Sequence, residues 1–159
     1  ALSVLTMIGE LTNRVLGENE DASLIYPYLI ETLQALSQGN DSLTLVMLYM
    51  AQVFKISGYG LEVGHCVFCE ATKDIVALSY TDGGYVCRKC YDEESMTKKG
   101  SRYLNILRYA FLIKPSDITR VSFTQKEILD ILSEFKIYLY DALSIDLKSY
   151  TMLLKAIVA

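Results

Sequence analysis

The chain reads as a mainly α-helical bundle of about six helices carrying one inserted four-cysteine knuckle built on a β-hairpin. Three observations predict this. Apolar residues recur at helical spacing on both sides of a central interruption. All four cysteines fall inside that interruption, as Cys66-Val67-Phe68-Cys69 and Cys87-Arg88-Lys89-Cys90, with seventeen residues between the pairs. The 159 residues are 52% hydrophobic and 21% charged, enough for one domain with a proper core. Residues 1–159 are therefore expected to form a single helical domain and residues 64–91 its insertion.

In chain order, Leu2 to Leu16 places Leu5, Ile8, Leu11, Val15 and Leu16 close to a 3.6-residue stripe. Ser23 is the expected cap of a second helix running through Tyr26, Leu29, Ile30, Leu33 and Leu36 to a stop near Gly39, with Pro27 in its first turn. Asp41 or Ser42 opens a third, apolar on nearly every side and therefore the expected buried centre, ending before Gly58. Ile75 to Tyr80 and Tyr85-Val86 read as short strands closed by Asp82-Gly83-Gly84. Ser95 to Ile113 reads as a helix with Leu104, Leu107 and Phe111 on one side and Arg102 and Arg108 toward another, broken at Lys114-Pro115. Thr124-Gln125-Lys126-Glu127 has the form of a capping box. It opens a helix with Ile128, Ile131, Leu132, Phe135, Leu139, Ala142 and Leu143 on one face. A last helix covers Leu147 to Ile157.

Two C-x-x-C pairs at this separation are the ligand spacing of a four-cysteine zinc site, with Cys66, Cys69, Cys87 and Cys90 as ligands. A disulfide framework suits small secreted chains, and no signal peptide precedes these cysteines. A thioredoxin-like motif needs one pair at a helix start, which a hairpin between two pairs does not provide. His65 adjoins Cys66 but four thiolates already complete a tetrahedron, so it is read as a loop histidine. A closed tetrahedron leaves no open position, and the expected Zn2+ is structural.

Formal net charge is −4, but the charge is unevenly spread. Residues 1–62 hold two basic and seven acidic side chains; residues 85–126 hold nine basic and four acidic. Screening confines electrostatics to about 10 Å, so a local basic stretch attracts phosphate whatever the total charge. Arg88 and Lys89 lie inside the second knuckle, and Lys98, Lys99 and Arg102 follow on what reads as the next helix; taken alone, such a cluster reads first as a solvated helix surface. Asp92-Glu93-Glu94 is read as favouring that helix's dipole. No apolar run is long enough for a membrane span. No phosphate-binding glycine loop, nucleophile elbow or zinc-protease motif occurs, and an enzyme is not expected. Reduced, metal-type cysteines point to a cytoplasmic location. The sequence begins at Ala1 rather than methionine and is expected to be part of something longer.

Phe54-Lys55-Ile56-Ser57-Gly58-Tyr59-Gly60-Leu61, then the first cysteine pair, then Tyr80-Thr81-Asp82-Gly83-Gly84-Tyr85-Val86 running into the second pair, resembles the bacterial DNA repair and recombination RecO family. Asp146-Leu147-Lys148-Ser149 looks like the Leu-Lys-Ser before that family's final helix. The likeness covers about residues 22 to 154. Gly60 stands where proline is common, and Glu70 where glycine is usual. If position 70 needs a left-handed backbone, a side chain there costs about 1–2 kcal/mol. The family begins with an OB-fold of short strands, and nothing here reads that way. The resemblance therefore implies the family's C-terminal helical and zinc region. It also implies a non-enzymatic, nucleoid-associated role: binding single- and double-stranded DNA, with Arg88, Lys89, Lys98, Lys99 and Arg102 as the expected DNA contacts, annealing strands, and contacting the single-stranded-DNA-binding protein and RecR to help load RecA. The competing expectation is a zinc-stabilised helical protein–protein interaction module without direct DNA binding.

Overall fold

The structure is a computed structural model describing residues 2–17, 22–118 and 123–158, the last without the Val158 side chain. Arg120 of the basic stretch lies outside the described residues. Among them the expected six α-helices are found, with a small three-stranded sheet after the third.

Helix α1 (Leu2–Gly17) buries Val4, Met7, Ile8, Leu11 and Val15. Leu5, expected in the stripe, is instead 45% exposed. The register turns so that Val4 and Met7 face inward, a choice the flanking apolar residues leave open. Helix α2 (Ala22–Ser37) departs further. It buries Ile25, Thr32 and Ala35, while Tyr26, Ile30 and Leu33 of the expected face point outward. Ser23 lies within the helix rather than capping it, and Pro27 sits beyond the first turn. Helices that are apolar almost all round carry little information about their facing. The end of α2 follows expectation. Gly39 takes φ +84°, and the amides of Gly39 and Asn40 reach back to the Leu36 and Ala35 carbonyls, a Schellman cap.

Helix α3 (Ser42–Ile56) is capped by Asp41, whose carboxylate accepts from the Thr44 amide at 2.9 Å. Every residue from Leu43 to Phe54 is buried, as an all-round apolar helix requires. Gly58, at φ +85°, ends it with a second Schellman cap, the Tyr59 amide bonding the Phe54 carbonyl.

Strands β1 (Ile75–Ser79) and β2 (Gly84–Cys87) pair antiparallel as expected. Ser79 and Asp82 lock the turn: the Ser79 hydroxyl donates to the Asp82 carboxylate and accepts from the Asp82 amide. A third strand, β3 (Thr97–Lys98), pairs with the other edge of β1. This corrects the expected helix start at Ser95. The Lys99 amide bonds the Val76 carbonyl, which commits the chain to the sheet, and α4 (Ser101–Leu112) starts only after Gly100. Asp92 accordingly shapes a turn, accepting from the Glu94 amide and the Ser95 hydroxyl, instead of supporting a helix dipole.

Helix α4 buries Leu104, Leu107 and Phe111; its carbonyl end at Phe111 accepts from Lys55 Nζ at 3.0 Å. After a 3₁₀ turn (Pro115–Asp117), helix α5 (Gln125–Leu143) opens with the expected capping box. Helix α6 (Ser149–Val158) is held to α1, since the Ser149 amide and hydroxyl both donate to Glu10. Leu147, fully buried, and Ser149 give the Leu-Lys-Ser stretch its structural role. The core forms where α3 meets α1, α2, α4 and α5; Phe54 packs edge-on against Phe135 at 5.3 Å.

Removing the Thr124 cap as Thr124→Ala is expected to cost about 1 kcal/mol in urea unfolding. Its partner Glu127 also titrates usefully. A bidentate hydrogen bond from Arg102, then the Thr124 amide, holds its carboxyl at about 2. A carboxyl lowered in the folded state stabilises above its ordinary value of 4.5 and loses that contribution as pH falls from there toward 2. The wild-type melting temperature should fall more steeply across this window than that of Glu127→Gln.

Candidate metal centre and basic surface

Each C-x-x-C folds into a tight turn, and backbone amides of Phe68, Cys69 and Cys87 point at the Cys66 sulfur. In the first, the Glu70 amide closes on the Cys66 carbonyl and the Cys66 amide on the Ala71 carbonyl. Glu70 takes φ +63°, so the position does need a left-handed backbone, and this chain tolerates a glutamate there. The second turn follows β2, with the Cys90 amide on the Cys87 carbonyl at 3.2 Å. The hairpin folds this turn back beside the first.

The four sulfur atoms lie within 4.8 Å of one another, and Cys69 and Cys87 are 3.6 Å apart. A tetrahedron with metal–sulfur bonds of about 2.3 Å puts its sulfurs roughly 3.8 Å apart, so the arrangement fits one ion. Cys66 and Cys87 are buried, Cys90 is half-buried and Cys69 exposed. Burial pushes the Cys66 thiol up, but amides of Cys87, Phe68 and Cys69 outweigh it and bring it down to about 6. Burial and the neighbouring sulfurs push Cys90 up to about 12. One thiolate thus forms readily while Cys69 and Cys90 resist, a set of donors that a dication would reconcile. His65 stands outside the sulfur cluster, its Nδ1 3.0 Å from the Cys66 carbonyl oxygen.

The five cations singled out from sequence separate into two kinds. Arg88 and Lys89 are exposed beside the sulfurs, and the Arg88 amide is fixed on the Asp74 carbonyl at 2.9 Å. Lys98 is exposed on β3, over the Tyr91 ring. Lys99 is not on a helix; it follows β3, 2.5 Å from Glu134 and over Tyr103. Arg102 grips Glu127. Among the described residues, Arg88, Lys89 and Lys98 make no ion pair, whereas Lys99 and Arg102 do. Lys73, exposed and adjoining Asp74, is brought beside Arg88 by the same strand pairing. It went unnoticed in the sequence because it precedes the basic stretch; its place between the cysteine pairs was the available signal. Arg108 donates to the Val63 carbonyl at 2.9 Å, holding the linker that leads from α3 into the knuckles.

No described helix is long and apolar enough to cross a membrane. No solved structure matches this chain. Among curated relatives, the DNA repair protein RecO of Bacillus subtilis is 21% identical over 129 residues, which is 79% of this chain and 51% of that protein. That of a Thermoanaerobacter species is 27% identical over 150 residues, 84% of this chain and 60% of the relative. The chain therefore spans about half the length of the curated relatives it matches. A family model described as recombination protein O C terminal matches residues 1–150. On that match the chain belongs to the recombination protein O family and corresponds to its C-terminal region.

Proposed function

We propose that this chain is a non-enzymatic DNA-binding and partner-binding region of a recombination mediator, stabilised by a structural zinc ion on Cys66, Cys69, Cys87 and Cys90. The observation that carries the reading is the adjacency of the sulfur cluster to exposed cations, in a chain whose family is one of DNA repair proteins. Zinc would fix the backbone on which Arg88 and Lys89 stand, so their charges meet phosphate without first being ordered. Lys98 continues the patch. Lys99 and Arg102 join by exchanging their carboxylate partners for phosphate, so their contribution is smaller. Such contacts read backbone rather than bases, which suits single- and double-stranded DNA alike. Annealing, contact with the single-stranded-DNA-binding protein and RecR, aid to RecA loading, and a cytoplasmic, nucleoid-associated location follow from the family resemblance.

Fluorescence anisotropy with oligothymidylate across a salt series tests this. Binding should weaken as salt rises, and the combined Arg88→Ser, Lys89→Ser and Lys98→Ser variant should flatten the log–log slope by about 0.7 for each phosphate that the variant no longer neutralises. An unchanged slope would place the interface elsewhere. No binding at low salt would favour the protein-only interaction module.

A further inference from the structure

Away from the cations of the knuckles, the turn of the hairpin and the outer side of α5 enclose two adjoining recesses of about 160 and 310 Å³. They share Tyr80, Tyr138 and Asp141 as walls, and Tyr59 closes the larger. The rings are set against one another: Tyr80 and Tyr138 are 4.9 Å apart between centroids, and Tyr59 stands edge-on to Tyr138 at 6.4 Å. Tyr138 is fixed by its hydroxyl, which donates to the Tyr59 carbonyl at 3.0 Å. Helix periodicity brings Glu134, Tyr138 and Asp141 onto one stripe of α5, and Asp82 adds a third carboxylate from the turn.

This charge is only partly balanced locally. Neither recess is lined by a lysine or arginine. Lys99 takes one oxygen of Glu134, while Asp141 is exposed and makes no ion pair among the described residues. Burial and then the Glu134 charge push the Tyr80 phenol well above its ordinary range, so it remains a neutral ring and hydroxyl. Beside the recesses Ile137 and Tyr140 are 63% and 60% exposed, an apolar surface next to an acidic, aromatic one. Ring faces and carboxylates together attract an organic cation. They repel the phosphates of nucleic acid. The chain already shows this chemistry with one of its own cations, since Lys99 Nζ lies 4.6 Å from the Tyr103 centroid while bonded to Glu134.

We propose that this cleft docks an arginine or lysine side chain of a partner protein. The cation meets Asp141 and shares the Glu134 carboxylate, whose second oxygen lies 3.5 Å from the Tyr80 hydroxyl; its stem lies against Tyr80 and Tyr138, and an adjoining apolar residue of the partner covers Ile137 and Tyr140. The site is separate from the DNA reading: Arg88, Lys89 and Lys98 do not line it, so either can fail alone.

The test uses the ¹⁵N-labelled, zinc-loaded chain titrated with the peptide acetyl-Leu-Arg-Leu-amide, and with a second peptide carrying citrulline, the neutral isostere, in place of arginine. The arginine peptide should shift the amides of Tyr59, Gly83 and Asp141 saturably and bind about fivefold tighter than the citrulline peptide. Asp141→Asn, at an exposed position, should keep the melting temperature and remove most of that preference. Equal binding of the two peptides, an unaltered preference in Asp141→Asn, or no saturable shift would overturn the proposal. So would oligothymidylate shifting the same amides, which would mark a nucleic-acid face.

Discussion

Cys87→Ser should reduce bound zinc from stoichiometric to near none and lower the melting temperature by more than about 10 °C. Cys87 is 3% exposed at the end of β2, paired with Ile75 and 3.6 Å from the Cys69 sulfur. Serine offers no comparable metal ligand, and the remaining thiols resist ionising together. Structural zinc contributes about 10–16 kcal/mol to the folding of small metal-bound units. Here only part of that would reach the bundle, because the helices have a core of their own. The coupling runs through Leu78 and Tyr85, which belong to that core, and through the Tyr85 hydroxyl, which donates to the Leu104 carbonyl. Loss of the hairpin therefore withdraws apolar cover from α4 as well as metal. Zinc content by atomic absorption, read together with the thermal transition, checks both halves. A variant that retains its zinc, or a wild-type chain that melts unchanged after chelation, would remove the cluster's structural role.

What was readable in advance divides by the physics that fixes each feature. The sulfur cluster was legible because metal geometry constrains spacing in the chain itself. Several caps were legible for the same local reason: Asp41, Gly58 and the Thr124–Glu127 box act on backbone groups only a few residues away, whereas Ser23, expected as a cap, lies inside α2. Facing was not. Tyr26, Ile30 and Leu33 are as apolar as the residues that α2 buries, and only the shapes of α3 and the 3₁₀ turn packed against it decide between them. Strand β3 was hidden because Thr97 and Lys98 have no alternation long enough to register; their pairing with Ala77 and Leu78 is decided across the sheet. That one change moves Lys98 and Lys99 off the helix and sets Lys99 against Glu134. The basic patch was thus visible as composition, while its division into free and paired charges depended on carboxylates more than twenty residues away.

Gly84 shows the same division within one motif, and Gly84→Ala should be the most damaging of the small substitutions in the hairpin. From sequence, Gly83-Gly84 reads simply as a turn. In the structure only Gly83 serves that purpose, at φ +88° with open space where a side chain would stand. A Cβ on Gly84 would run into the Glu62 carbonyl oxygen and stand only 2.8 Å from the Glu62 nitrogen. Those are backbone atoms and cannot swing aside. Glu62 is tied there by its amide on the Gly83 carbonyl at 2.8 Å and by its carbonyl on the Tyr85 amide at 2.9 Å. Leu61 and Val63 on either side are buried, so displacing the linker breaks both bonds and uncovers apolar surface. With about 1–3 kcal/mol for each buried group left without a partner, Gly84→Ala should cost about 3 kcal/mol or more. Gly83→Ala carries only the left-handed penalty of about 1–2 kcal/mol. Urea unfolding of the two zinc-loaded variants gives the order directly. The linker from Leu61 to Val63 delivers the first cysteine pair to the second, so Gly84→Ala should also weaken zinc retention against a competing chelator, and Gly83→Ala should not. If Gly83→Ala were the costlier change, the turn conformation at Gly83 rather than the close approach of Glu62 to Gly84 would be the stricter demand on the pair.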